Sequence, residues 1–164
     1  VAKQPKQKPG TSEQVVVTPD LFLTAVRTRL GIEEFVLDCA ADEHNTKAPL
    51  YWGVEHNALV QPWDLGEGWN WCNPPYAKIK PWVKKAHEEM RLGVKTAMLL
   101  PAGVGANWYR QYVHMEAPVL ALNGRLTFVG HPTPYPKDMI LILWDDTWAS
   151  ARQSHFDVWT WNAP

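Results

Sequence analysis

Cysteine, net charge and long apolar runs are all scarce in this sequence, and each scarcity excludes something. Two cysteines, Cys39 and Cys72, in 164 residues cannot make a disulfide framework. Each ends a strand-like stretch, where small buried thiols are ordinary. No apolar run approaches the roughly 18 residues that a membrane span needs, and the polar residues 1–14 do not form a signal peptide. The expectation is a cytoplasmic protein with no membrane association. A net charge of −1 argues against indiscriminate nucleic-acid binding. The six histidines, at positions 44, 56, 87, 114, 131 and 155, show no paired ligand spacing, so no metal is expected.

What is present is a core. Hydrophobic residues make up 46% of the chain and ten are Trp, which fits one globular domain long enough to bury an interior. Residues 1–14 are Lys-, Pro- and Gln-rich without periodicity and read as a disordered tail, leaving residues 15–164 as the folded domain. Charge is unevenly placed. Glu33, Glu34, Asp38, Asp42, Glu43, Glu55, Asp64 and Glu67 face a single base, Lys47, in the first half. Lys78, Lys80, Lys84, Lys85, Arg91, Lys95 and Arg110 then outnumber Glu88 and Glu89. One face for a cationic cofactor and one for phosphates would account for this. Lys84 and Lys85 serve equally well as i,i+4 partners of Glu88 and Glu89 on a solvated helix.

The pattern of elements is α/β. Thr18-Pro19 reads as a helix start, a hydroxyl cap followed by proline at the first position, and Phe22, Val26 and Leu30 repeat every four residues up to Gly31. Residues 35–37 form a short strand ending at Asp38, and residues 50–54 a second ending at Glu55. A full crossover helix barely fits between them, so the first half of the sheet is compressed. Residues 69–72 make another strand, and Trp82, Val83, Ala86 and Met90 mark a helix that stops at Gly93. Residues 94–100 and 118–122 are strands, with a helix around Trp108 and Val113 between them. Residues 125–129 are expected to pair with 139–144 around a 131–137 loop, and 156–161 to close the sheet as an edge. Ligands of open α/β sheets bind at the carboxyl ends of strands. There Asp38 could meet a cofactor amine and Glu55 the hydroxyls of a ribose, the alternative for Asp38 being a helix cap or turn residue.

Between the strand at 69–72 and the following helix stands Asn73-Pro74-Pro75-Tyr76. Two prolines fix φ and push their predecessors out of the helical region, so the loop is rigid and extended. Rigidity suits one problem in particular: the exocyclic amine of an aromatic base is a poor nucleophile, because its lone pair is delocalised into the ring. If the Asn73 oxygen and the Pro74 carbonyl each accept one N–H, the nitrogen is drawn towards tetrahedral geometry and can attack a methyl donor. Tyr76 offers a face on which a base taken out of the duplex can stack, a contact worth roughly 1–3 kcal/mol for which the ring alone should suffice. The alternative is a proline turn closing a strand, with Tyr76 in the core. On this reading Lys78 and Lys80, which flank the loop, are the leading phosphate contacts.

Thr18-Pro19, Asp38-Cys39-Ala40-Ala41, Asn57-Ala58-Leu59 with Trp63, Asn73-Pro74-Pro75-Tyr76, Pro81-Trp82, Leu99-Leu100-Pro101 and Gly124-Arg125-Leu126-Thr127-Phe128 occur in an order that resembles the phage-type DNA adenine-N6 methyltransferases. The likeness runs from about residue 17 to 144. It implies a single Rossmann-like methyltransferase sheet with helices on both faces, S-adenosylmethionine as cofactor and double-stranded DNA as partner, with no obligate protein partner. It also implies roles: Thr18 and Pro19 at the cofactor's methionine end, Asp38 and Ala40 on the loop that holds it, and Glu55 at its ribose. Asn57 and Leu59 would lie near its adenine, and Asn73, Pro74, Pro75 and Tyr76 around the target base. No glycine-rich loop follows the first strand, and no segment is large enough for a separate recognition domain. DNA sequence would then be read from loops, with Arg125 and Lys137 the candidates, although Arg125 would serve equally as half of a surface ion pair. The same tetrapeptide serves N4-cytosine and protein-glutamine methylation, and a catalytically inactive nucleic-acid-binding module could keep the scaffold.

Overall fold

The computed structural model describes residues 16–151 and 153–163; the tail read at residues 1–14 lies outside them. In chain order the elements are α1 (Asp20–Leu30), β1 (Leu37–Asp38), β2 (Leu50–Tyr51), β3 (Trp69–Cys72), α2 (Ile79–Met90), β4 (Lys95–Pro101), β5 (Val119–Asn123), β6 (Met139–Trp144), α3 (Asp146–Ala151) and β7 (Phe156–Thr160). They build an α/β protein on one mixed seven-stranded sheet of order β2-β1-β3-β4-β6-β5-β7. β1 to β4 run parallel. β6 is antiparallel to both its neighbours, and β7 lies parallel to β5.

The pleat sorts the strand residues into two cores. On one face Phe22, Leu23 and Val26 of α1 pack with Trp71, Ala97, Leu99 and Leu141. On the other, Val83, Ala86 and Met90 of α2 pack with Cys72, Met98, Leu100, Ile140 and Ile142. Helices therefore cover both faces, as the resemblance implies. No helix among the described residues is long and apolar enough to cross a membrane.

Four local expectations are corrected. Pro19, not Thr18, occupies the cap of α1, and no side chain caps it; the Thr18 hydroxyl is engaged elsewhere. β1 and β2 are only two residues long, because the chain between them turns without a helix. The expected helix around Trp108 is mainly a five-residue π turn, Tyr109–Val113. Residues 125–129 are not a strand: β6 has both its edges filled by β4 and β5, which leaves them no ladder to join. They instead lay Leu126 and Phe128 into the α1-side core, and are tied by Val129 N–H to the Val17 carbonyl and Tyr135 N–H to the Leu126 carbonyl.

The order of strands positions a crevice. From β1 the chain moves to β2 on one side and then to β3 on the other, so the connections diverge above the carboxyl ends of β1 and β3, where open α/β sheets hold ligands. At the far end, β7 turns Phe156 and Val158 outward, 52% and 62% exposed. Its Asp157 carboxylate accepts the Val158 N–H at 2.8 Å. Its other side is anchored through Phe22, whose ring meets Trp71, Trp159 and Trp161 at 6.4, 5.9 and 5.2 Å. Phe22→Ala is therefore expected to cost about 3–5 kcal/mol in chemical unfolding. A loss below about 1 kcal/mol would show that α1 does not pin this part of the sheet.

Candidate active site

A cavity of about 370 Å³ opens at this crevice, within the usual range for small-ligand sites. Five stretches converge on it: residues 16–18 ahead of α1, the loop after β1, residues 52–59 after β2, residues 71–75 at the end of β3, and Trp82 of α2.

The loop after β1 has no glycine, and side-chain carboxylates shape it instead. Asp38 is buried, 3% exposed. One of its oxygens accepts the Ala40 N–H at 3.2 Å and the other the Lys47 N–H at 2.9 Å, while its carbonyl accepts the Trp52 N–H of the β2 arm. Asp42 takes the N–H groups of His44 and Asn45 and the Asn45 amide. Burial pushes the Asp38 carboxyl up to about 6, against the downward pull of the Lys47 and Ala40 N–H groups. Asp38 is thus both the turn residue and a lining residue of the cavity.

After β2, a 3-10 turn at Val54–His56 ends in Asn57, whose φ of 51° is left-handed, and swings Asn57, Ala58 and Leu59 into the lining. Glu55 does not line the cavity. Its carboxylate folds over Gly53 so closely that a Cβ there would lie 2.5 Å from Oε1, and it sits 3.3 Å from His56 Nδ1. Pro19 also lies outside the lining, and Pro74 is buried behind it.

At the end of β3 the Asn73 side chain is held at three points. Its Nδ2 donates to the Val16 carbonyl at 2.8 Å and to Thr18 Oγ1 at 3.1 Å. Its Oδ1 accepts the Tyr76 hydroxyl at 2.6 Å. Burial pushes the Tyr76 phenol well above its ordinary value, and its ring meets Tyr135 edge-on at 6.0 Å. The Tyr76 hydroxyl thus has a partner that reasoning from the ring alone did not foresee. Lys78 and Lys80 are exposed beside this loop. Arg125 lies elsewhere, giving its donors to the Pro136 carbonyl at 2.7 Å and the Asp138 carboxylate at 3.4 Å; Lys137 is exposed on the loop it ties down.

Sequence reasoning did not single out Lys47, Trp52 or Trp82 as lining residues. Lys47 had a signal, as the one base in an acidic stretch. It reaches Asp20 at 3.1 Å. Trp52 is fixed by its indole N–H on the Pro62 carbonyl at 2.9 Å, a contact no local pattern announces, and Trp82 was absorbed into the apolar stripe of α2.

Residues 7–154 match a family described as DNA N-6-adenine-methyltransferase (Dam). Among curated proteins, the chain is 31% identical over 110 residues to the DNA N-6-adenine-methyltransferase of Escherichia phage T1, covering 67% of this chain and 45% of that protein. It is 32% identical over 102 residues to the protein of the same name from Haemophilus phage HP1, covering 61% of this chain and 58% of that protein. The matches thus span about half the length of these relatives.

The Asp38 environment predicts a pH signature. A carboxyl near 6 when folded and about 3.9 when unfolded gives stability that is complete below about 4 and is lost as pH rises through 6. In thermal melts from pH 4 to 7.5 the wild type should lose on the order of 2–3 kcal/mol relative to Asp38→Asn as pH rises. Parallel curves would mean that Asp38 titrates normally.

Proposed function

The chain belongs to the DNA N-6-adenine-methyltransferase (Dam) family, and on that premise we propose that it transfers a methyl group from S-adenosylmethionine to N6 of an adenine flipped out of duplex DNA at a specific site. The observation that carries this reading is the Asn73 amide at the rim of the cavity, on a proline-stiffened loop, its nitrogen turned to protein acceptors and its oxygen away from them.

The donor set of the cavity fits the cofactor. Asp38 and Asp42 supply negative charge for an α-amino group and a sulfonium, Lys47 a cation for a carboxylate, and Trp52 and Trp82 flat apolar walls for an adenine ring. Asp38, half neutral near pH 6, gains its charge more readily beside a cation. S-adenosylmethionine supplies an electrophilic methyl group. The chain's own residues then have the task of presenting the amine. Asn73 Oδ1 and the Pro74 carbonyl each accept one N–H, which localises the nitrogen lone pair, and the proton that this nitrogen sheds on methylation passes to water. Asn73 Oδ1 has two lone pairs; Tyr76 occupies one, and the amine takes the other.

A Rossmann-like sheet suits this assignment, since the cavity sits where the strand connections diverge. Lys78 and Lys80 lie where phosphates flanking a flipped base would pass, while Arg125 acts first as a tie for the 131–138 loop, through which Lys137 would approach DNA. The host cytoplasm, where such DNA is found, is the matching location.

Asn73→Ala should abolish tritium transfer from labelled cofactor to DNA and leave cofactor affinity by calorimetry within about twofold, the mark of a contact realised mainly in the transition state. Single-molecule sequencing of DNA from cells expressing the wild-type chain should show N6-methyladenine in one sequence context. Near wild-type transfer by the Asn73 variant would reduce the loop to an ordinary turn.

A further inference from the structure

Asn73 is the one side chain of the loop that is held on all sides, and the chemistry of its holders is asymmetric. The Val16 carbonyl can only accept a hydrogen bond, and it stands 2.8 Å from the Asn73 side-chain nitrogen. Thr18 Oγ1 is the second acceptor, at 3.1 Å, and Thr18 is 2% exposed, so water does not compete for it. Both amide protons are engaged, and because the Val16 carbonyl can only accept, it settles which end of the amide is nitrogen and leaves the oxygen to accept the Tyr76 hydroxyl, on a residue that lines the cavity.

Resting on the functional reading above, we infer that Thr18 is a positioning residue for methyl transfer: with the Val16 carbonyl it fixes the Asn73 amide so that its oxygen can meet the target amine, and the Val16 carbonyl, which can only accept, requires an amide, not a carboxylate, at position 73. An aspartate there would set a negative oxygen against the Val16 carbonyl. It could keep the geometry only by taking up a proton, which would restore a donor at the place of the lost N–H. Residues 16–18 also line the cavity, and the Val17 carbonyl holds Val129 of the 124–130 segment. The hold on Asn73 is therefore built from the stretch of chain that borders the cofactor.

The tests are Thr18→Val, Thr18→Ser and Asn73→Asp, assayed with S-adenosylmethionine and duplex DNA. Thr18→Val keeps the shape and removes the acceptor. It should lower kcat about tenfold to a hundredfold, the scale of a misplaced reacting group, with cofactor Kd within about threefold, while Thr18→Ser restores most of kcat because it keeps the hydroxyl. Wild-type kcat in Thr18→Val overturns the inference, as does a fall in kcat matched by an equal fall in cofactor affinity, which would make Thr18 a cofactor contact only. Asn73→Asp should show transfer, relative to wild type at each pH, that rises as pH falls from 8 to 5.5; a flat ratio overturns the inference.

Asn73→Asp also has a readout independent of catalysis. Its melting temperature should fall further below wild type as pH rises, because a carboxyl facing a carbonyl has a raised pKa and loses stability on ionising. If the wild type methylated no DNA, the functional reading would fail. The melting curves would still decide the hold: a gap that closes in acid supports it, and parallel curves overturn it.

Discussion

A buried carboxylate stands where this fold has no room for a helix. Between β1 and β2 the chain must reverse and return parallel, which α/β proteins commonly do through a helix. Here Asp38 takes two N–H groups of the connecting loop on its side chain and one from the β2 arm on its carbonyl. That clamp sets the distance between the β1 loop and residues 52–59, and so the width of the cavity. The cost is a desolvated acid, seen in its carboxyl being pushed up to about 6. A cation arriving in the cavity would offset part of that desolvation.

The parts of the fold legible in the sequence are those whose signal is local. A four-residue apolar repeat located α1 and α2, near-continuous apolar runs located β4 and β6, and the prolines marked the end of β3. What failed to show depends on distant partners. Strands at 35–37 and 50–54 were legible, but the two-residue length of β1 and β2 and their register, Leu37 with Leu50 and Asp38 with Tyr51, are set across the ladder. Residues 125–129 alternate like a strand, but their alternation serves to bury Leu126 and Phe128. Thr18 has the sequence context of a helix cap, and only a contact 55 residues away explains its position.

The candidate site divides in the same way. Asn73, Pro75 and Asp38 could be named from motif and strand ends, and Ala40, Asn57, Leu59 and Thr18 from the family resemblance; all line the cavity. Glu55 and Pro19 follow the same logic and fall outside it, Glu55 because the backbone turns at Val54–His56 before the acid can face inward. Tyr76 shows the limit of reasoning from side-chain class. A tyrosine chosen for its ring also carries a hydroxyl, and burial obliges that hydroxyl to find an acceptor; the one it finds is the Asn73 oxygen.

The Asp157 carboxylate on β7 bears on a different hazard. A free sheet edge with outward Phe156 and Val158 is a template on which another strand could grow. β7 hydrogen-bonds to β5 through the other face of its backbone, as the Val119 N–H to His155 carbonyl bond shows, so the Val158 N–H points outward and is already satisfied by Asp157. The opposite edge, β2, offers only two residues. The outward edge of β7 thus has one N–H already engaged and β2 is short, two features that reduce the hold either border offers to an intermolecular strand.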